Sequence, residues 1–97
     1  MALTARQRQF LKGLAHPLAP VVRVGKGRLT PAIVNETRRS LEAHELIKVR
    51  IESDAAAERR DIATRLAAET GAELAATIGK LAILYRQREE KPKIKLP

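Results

Sequence analysis

Apolar residues in this 97-residue chain recur first at helical spacing, then by alternation, and the changes of period predict seven elements. Phe10, Leu11 and Leu14 mark the apolar side of a first helix, while Arg8 and Lys12 sit one turn apart on another face. Thr4 and Gln7 have the spacing of a reciprocal capping box at its start. Gly13 weakens the helix and His16-Pro17 stops it, because proline disfavours helical geometry in the residue before it. The β-branched run Val21-Val22-Arg23-Val24 predicts a short strand, followed by the glycine-containing basic loop Gly25-Lys26-Gly27-Arg28. A second helix begins with three agreeing signals: Thr30 as N-cap, Pro31 at the first helical position, and Leu29 placed to staple onto Val34. Ile33, Val34, Thr37 and Leu41 form its inward stripe, with Arg38 on the flank and Arg39 pointing away.

The segment from Leu46 to Glu52 then alternates: Ile47, Val49 and Ile51 on one side, Lys48 and Arg50 on the other. That pattern predicts a half-buried strand with a basic outer face. Asp54 is placed to cap a third helix that runs through Thr70, with Ile62 and Leu66 inward and Gly71 as its stop. Leu74–Ile78 and Leu81–Tyr85 flank Gly79-Lys80, the pair expected of a two-residue type II′ hairpin turn. From Gln87 onward the chain is charged and contains Pro92 and Pro97; it is expected to be a mobile tail, with Ile94 and Leu96 able to add a short pairing segment. Strand–helix–strand units of one hand place their helices on one face of a sheet when the strand order runs one way. The expected fold class is therefore an α/β (α+β) two-layer sandwich: an N-terminal helix added to a βαβαββ core with a four-stranded mixed sheet, in one domain over 1–86 with a basic tail over 87–97.

Composition narrows the chemistry. With aromatic residues at 2%, Phe10 and Tyr85 are the only rings, so the core must be aliphatic and a base-stacking platform of several exposed aromatics is excluded. No cysteine is present, which removes disulfides, thiolate metal sites and a cysteine nucleophile. No apolar stretch approaches the roughly 18 residues of a membrane span, and the N-terminus lacks the apolar core of a signal peptide. A soluble protein of the cytoplasm, with no membrane partner, is the expectation. The formal charge is +8, with a pI near 10.6. The excess is uneven: residues 1–50 carry ten basic and three acidic side chains, residues 51–97 nine and eight. Such one-sided charge repels itself and is compensated by a polyanion.

The loop Gly25–Arg28 is the natural place for that polyanion. It leads into a helix start, whose amides and dipole favour anions, and its glycines allow close approach of a phosphate backbone while Lys26 and Arg28 add charge. A comparable loop clamps the backbone in KH-type RNA-binding domains. Neither the P-loop spacing nor the dinucleotide fingerprint is present, so no nucleotide cofactor is expected. Lys12, Arg23, Arg39, Lys48 and Arg50, with Arg8, could extend the loop into a phosphate track if folding brings them together. His16 is a turn residue or a nucleic-acid contact, and His44 complements the dipole at the end of the second helix. Neither histidine has companions at metal-ligand spacing, and no nucleophile motif or paired-carboxylate site is present, so the expectation is no metal, no small-molecule substrate and no catalysis. Charge and loop together leave three partners open: RNA, duplex DNA in a nucleoid-type role, or an acidic protein.

A resemblance separates them. Leu11-Lys12-Gly13-Leu14-Ala15-His16-Pro17-Leu18, the stretch from Val21 to Thr30, and His44-Glu45-Leu46-Ile47-Lys48-Val49 resemble the bacterial YhbY proteins, as do Glu69-Thr70-Gly71-Ala72, Ile78-Gly79-Lys80-Leu81 and Leu84-Tyr85-Arg86. These are stand-alone members of the CRM (chloroplast RNA splicing and ribosome maturation) domain family, and the match runs from about Leu3 to Arg86. The resemblance implies a domain similar to the C-terminal domain of translation initiation factor three. It also implies RNA binding and association with precursors of the large ribosomal subunit; the expectation is an assembly factor that binds ribosomal RNA as a monomer. The family's loop reads G-x-x-G. Gly25 matches the first glycine, Arg28 occupies the place of the last, and a left-handed backbone at Arg28 would cost roughly 1 kcal/mol.

Overall fold

The computed structural model describes residues 2–26 and 28–97. Seven elements follow one another: α1 (Ala5–Ala15), β1 (Pro20–Val24), α2 (Pro31–His44), β2 (Leu46–Ile51), α3 (Ala56–Thr70), β3 (Glu73–Ile78) and β4 (Leu81–Tyr85). The strands form one mixed sheet in the order β1-β2-β4-β3, with β1 parallel to β2 and the other two pairings antiparallel.

The local signals act as their chemistry requires. Thr4 and Gln7 close the capping box at α1, and the Thr30 hydroxyl accepts the Ile33 N–H at α2, with Pro31 behind it. Gly71 ends α3 at φ +71°, and Gly79 supplies φ +57°, the sign a type II′ turn needs at its first central residue. One cap differs. The residue before α3 is Ala55, which has no side chain able to cap; Asp54 stands one position too early, with its exposed carboxylate 3.4 Å from the Lys80 ammonium. Arg59 fastens this corner, donating from Nε to the Gly79 carbonyl at 2.9 Å and from Nη1 to the Ser53 carbonyl at 2.6 Å.

Both faces of the sheet are apolar, and they are covered by different elements. Val22, Val24, Ile47, Val49, Ile51, Ala82 and Leu84 pack against Val34 and Leu41 of α2 and Ile62, Ala63, Leu66 and Ala67 of α3. This is the two-layer core, with both crossover helices on one face. The helix α1 precedes the first strand, is bound by no crossover, and lies on the other face. There Leu3, Leu11 and Ala15 cover Leu46, Ala75, Ile83 and Tyr85. The apolar side of α1 is thus narrower than the spacing of Phe10 and Leu14 suggests: Phe10 is 38% and Leu14 41% exposed. Strand β2 lies inside the sheet and beneath helices on both faces, so Lys48 is buried and the expected half-buried strand is almost wholly enclosed.

Glu45, between α2 and β2, organises the C-terminal segment. It is a fully buried carboxylate at φ +63°, with its N–H donating to the Leu41 carbonyl and its own carbonyl accepting the Arg86 N–H. Its Oε2 accepts the Arg88 N–H at 2.9 Å, and its Oε1 accepts those of Lys93 and Ile94 at 2.6 and 2.9 Å. Burial by itself would raise the carboxyl pKa, but the three N–H donors and the Arg88 charge outweigh it and hold the group below its ordinary value. Ile94 and Leu96 then pack onto the α1 face. Residues 87–97 are irregular in conformation but fastened, where their charge and prolines predict a mobile tail; Ile94 and Leu96 contribute side-chain packing in place of strand pairing.

Candidate nucleic-acid interface

The loop after β1 is a tight turn. The Arg28 N–H donates to the Gly25 carbonyl at 2.9 Å, and Gly25, Lys26 and Arg28 are all exposed. Lys26 takes the positive φ, +40°, a conformation costly for a residue with a Cβ. A Cβ on Gly25 would meet nothing within 4 Å, so this glycine leaves open space above the turn. The expectation placed on Gly27 lies outside the described residues.

The helix start behind the turn offers fewer donors than its position suggests. Pro31 has no N–H, the Ile33 N–H is taken by the Thr30 hydroxyl, and the Val34 N–H bonds the Thr30 carbonyl at 3.1 Å. Among the described residues this leaves the Ala32 N–H open in the first turn. Anion attraction at this end of the molecule therefore rests mainly on the Lys26 and Arg28 side chains. Lys26 also borders a shallow groove with Glu52, Ser53, Asp54, Glu58 and Lys80, where the loops after β1, β2 and β3 converge.

The cations of the sheet divide into two kinds. Lys48 points under α1 and donates from Nζ to the His16 carbonyl at 2.9 Å, tying β2 to the end of that helix. Arg23 and Arg50 are direct partners across the parallel pair β1–β2, on the same face, beyond the reach of α1. Arg50 donates to one oxygen of Glu52, and Arg23 lies 4.0 Å from the same oxygen. The hydrogen bond from Arg50 and the neighbouring cations hold the Glu52 carboxyl below its ordinary range. Composition and charge did not single out Glu52, although alternation along a strand places residues 50 and 52 on one side. Arg8, Lys12 and Arg39 are exposed on their helices and His16 is exposed in the turn after α1; Arg39 lies on α2 about 12 Å along the axis from Pro31. The fold thus brings Arg23 and Arg50 together at the loop end of the sheet, and it gives Lys48 an internal role.

An apolar groove lies at the other end of the sheet, bordered by Leu14, Leu18, Val21, His44 and Ile94. Among the described residues, no group of three or more histidine, aspartate or glutamate side chains could hold a metal ion, and no helix is long and apolar enough to cross a membrane.

The sequence model of the CRS1/YhbY (CRM) domain matches residues 3–86. The chain belongs to the CRS1/YhbY (CRM) family. A Haemophilus influenzae relative named RNA-binding protein is 43% identical over 95 residues, covering 98% of this chain and 95% of its own length. The Bacillus subtilis relative, Probable RNA-binding protein YqeI, is 36% identical over 95 residues, covering 98% and 99%. The solution structure of a hypothetical protein from Staphylococcus aureus, described as a candidate RNA binder, superposes with a TM-score of 0.88 at 33% identity, covering 98% of this chain and 99% of that one. The helices and mixed sheet described above are therefore the CRM architecture, and the turn at Gly25 occupies the β1–α2 junction of that architecture.

Proposed function

We propose that this CRM protein is a non-catalytic RNA-binding protein of the cytoplasm, acting as a monomer on ribosomal RNA in precursors of the large subunit. The observation that carries the reading is the turn closed between Gly25 and Arg28, with Lys26 and Arg28 exposed at the end of a sheet whose face adds Arg23 and Arg50. Lys12 and Arg39, exposed on the helices, add longer-range attraction, with His16 exposed at the end of α1, and the net charge of +8 supports a polyanionic partner. Relatives named for RNA binding favour RNA over duplex DNA. The ribosomal target follows from the resemblance to stand-alone CRM proteins.

The test is binding to a structured fragment of large-subunit ribosomal RNA over a series of salt concentrations. Affinity should fall steeply as salt rises, and the double variant Lys26→Ala, Arg28→Ala should bind about tenfold more weakly with a salt slope reduced by about two. A flat salt dependence, or a duplex DNA of equal length winning in competition, overturns the reading. Co-sedimentation with large-subunit precursors in cell extracts checks the ribosomal part separately.

A further inference from the structure

We propose that the open end of the sheet face is a platform on which unpaired bases of the RNA stack, beside the backbone grip of the Gly25–Arg28 turn. The inference rests on the RNA-binding reading and specifies the form of RNA that this end of the site selects.

The strand registers define three transverse rows on the α1 face. Leu46 pairs with Tyr85 and Tyr85 with Glu73; Lys48 pairs with Ile83 and Ile83 with Ala76; Arg50 pairs with Leu81 and Leu81 with Ile78. The first two rows contribute Leu46, Tyr85, Ile83 and Ala76 to the packing under α1 and the C-terminal segment. The third row does not enter that packing. Arg23 extends it on β1, so that Arg23, Arg50, Leu81 and Ile78 stand side by side across all four strands. At the usual spacing between strands the row is about 14 Å long, wide enough for about two bases.

Its chemistry fits a base better than a phosphate. Arg50 spends an N–H donor on Glu52, and that carboxylate lies between both guanidiniums, so an incoming phosphate would meet a negative charge beside the positive ones. The flat guanidinium faces remain available, with the Arg23 side chain 72% and the Arg50 side chain 38% exposed. Next to them Ile78 is an exposed apolar side chain and Leu81 a partly exposed one. A row half planar cation and half aliphatic matches the face of a nucleobase, which is apolar in contact and favourable over a guanidinium. In this arrangement the arginines take the part that exposed aromatics play on other RNA-binding sheets, and Glu52 is the positioning residue that holds the Arg50 plane. A carboxylate of an acidic peptide would meet Glu52 in the row as a phosphate would, whereas the face of a nucleobase brings no charge there. Phosphates of the same strand would lie outside the row, with Lys26 and Arg28.

The experiment compares an RNA hairpin carrying an unpaired loop with a fully paired RNA of equal length, using the full chain and a fluorescent adenine analogue in the loop. Wild type should prefer the looped RNA by about tenfold, since one base stack is worth roughly 1–3 kcal/mol. It should also change the emission of the analogue. The double variant Arg23→Lys, Arg50→Lys keeps the charge and the attraction to Glu52 but removes the planes; it should lose the preference and the emission change, the looped RNA losing about tenfold more affinity than the paired one. Ile78→Ser, at the exposed end of the row, should reduce the preference about threefold and carries the test if the lysine variant melts early. Lys26→Ala with Arg28→Ala should weaken both RNAs equally. Full preference retained in the lysine variant and in Ile78→Ser, or an acidic peptide displacing looped RNA from the row, overturns the platform while leaving RNA binding intact. Failure of the wild type to bind either RNA overturns both readings.

Discussion

Lys48 and Arg50 are two residues apart on the same face of one strand, yet the fold uses them in opposite ways. Lys48 is 8% exposed and bonded to the His16 carbonyl, part of the end of the sheet that α1 and the C-terminal segment cover. Arg50 lies one row further, in the open, beside Arg23 and Glu52. Alternation assigns both to a basic face and cannot distinguish them. What distinguishes them is the placement of α1, whose packing takes in the rows of Leu46 and Lys48 and not the row of Arg50. A cation serves a nucleic acid only where no neighbouring carbonyl has claimed it and no helix lies above it. The molecule on this view has a closed end that makes stability and an open end that makes the RNA contact.

The largest effect that separates the two ends should come from Glu45→Ala. Three backbone N–H donors lose a carboxylate acceptor, and Ile94 and Leu96 lose their anchor, so stability should fall by about 2 kcal/mol in denaturant titrations. Amide exchange over residues 88–94 should accelerate, while affinity for RNA at neutral pH changes less than twofold. Acid should have the same effect on wild type. Because the folded carboxyl lies below its ordinary value of 4.5, its contribution is complete above that value and is lost as pH falls through the lower folded one. A collapse of RNA affinity on release of the segment would break the division between the ends.

A smaller effect is expected of Lys48→Met, which keeps the apolar stem and removes the ammonium. Loss of the bond to His16 should cost about 1 kcal/mol, since water can reach the carbonyl of that exposed residue. The slope of RNA affinity against salt should not change. A slope reduced by about one would make Lys48 a phosphate ligand and move the boundary of the open end one row inward.

The sequence makes the elements legible because their signals are local: the capping pair Thr4 and Gln7, Thr30-Pro31, Gly71, and the Gly79-Lys80 turn each act within a few residues. The shared face of α2 and α3 also follows once the strand order runs one way, whereas the order itself, with β4 between β2 and β3, does not follow from handedness. The layer in which α1 lies is not legible, because no connection constrains it. Asp54 is joined to a partner 26 positions away, Lys80, and the docking of residues 87–97 depends on Glu45, 43 positions from Arg88. Such long-range polar contacts leave no periodic trace. Of the candidate site, the turn could be read from glycine and charge, whereas the split between Lys48 and Arg50 needed the position of a helix.

The smallest effect is also the sharpest on the open end. Lys26 combines a positive φ with an exposed charge, so its conformational and its binding roles can be separated by choice of replacement. Lys26→Gly and Lys26→Ala remove the same ammonium and should weaken RNA binding by the same factor, about threefold at physiological salt. Only glycine adopts φ +40° without strain from a Cβ. Lys26→Gly should therefore be more stable than Lys26→Ala by about 0.5 kcal/mol, the relief of strain exceeding the added freedom of the unfolded chain. Thermal melts and RNA titrations on the two variants decide it. Equal binding with unequal stability places the contribution of Lys26 in its charge. If glycine binds RNA more weakly than alanine despite the gain in stability, the contribution lies instead in a turn whose conformation the lysine Cβ helps to hold.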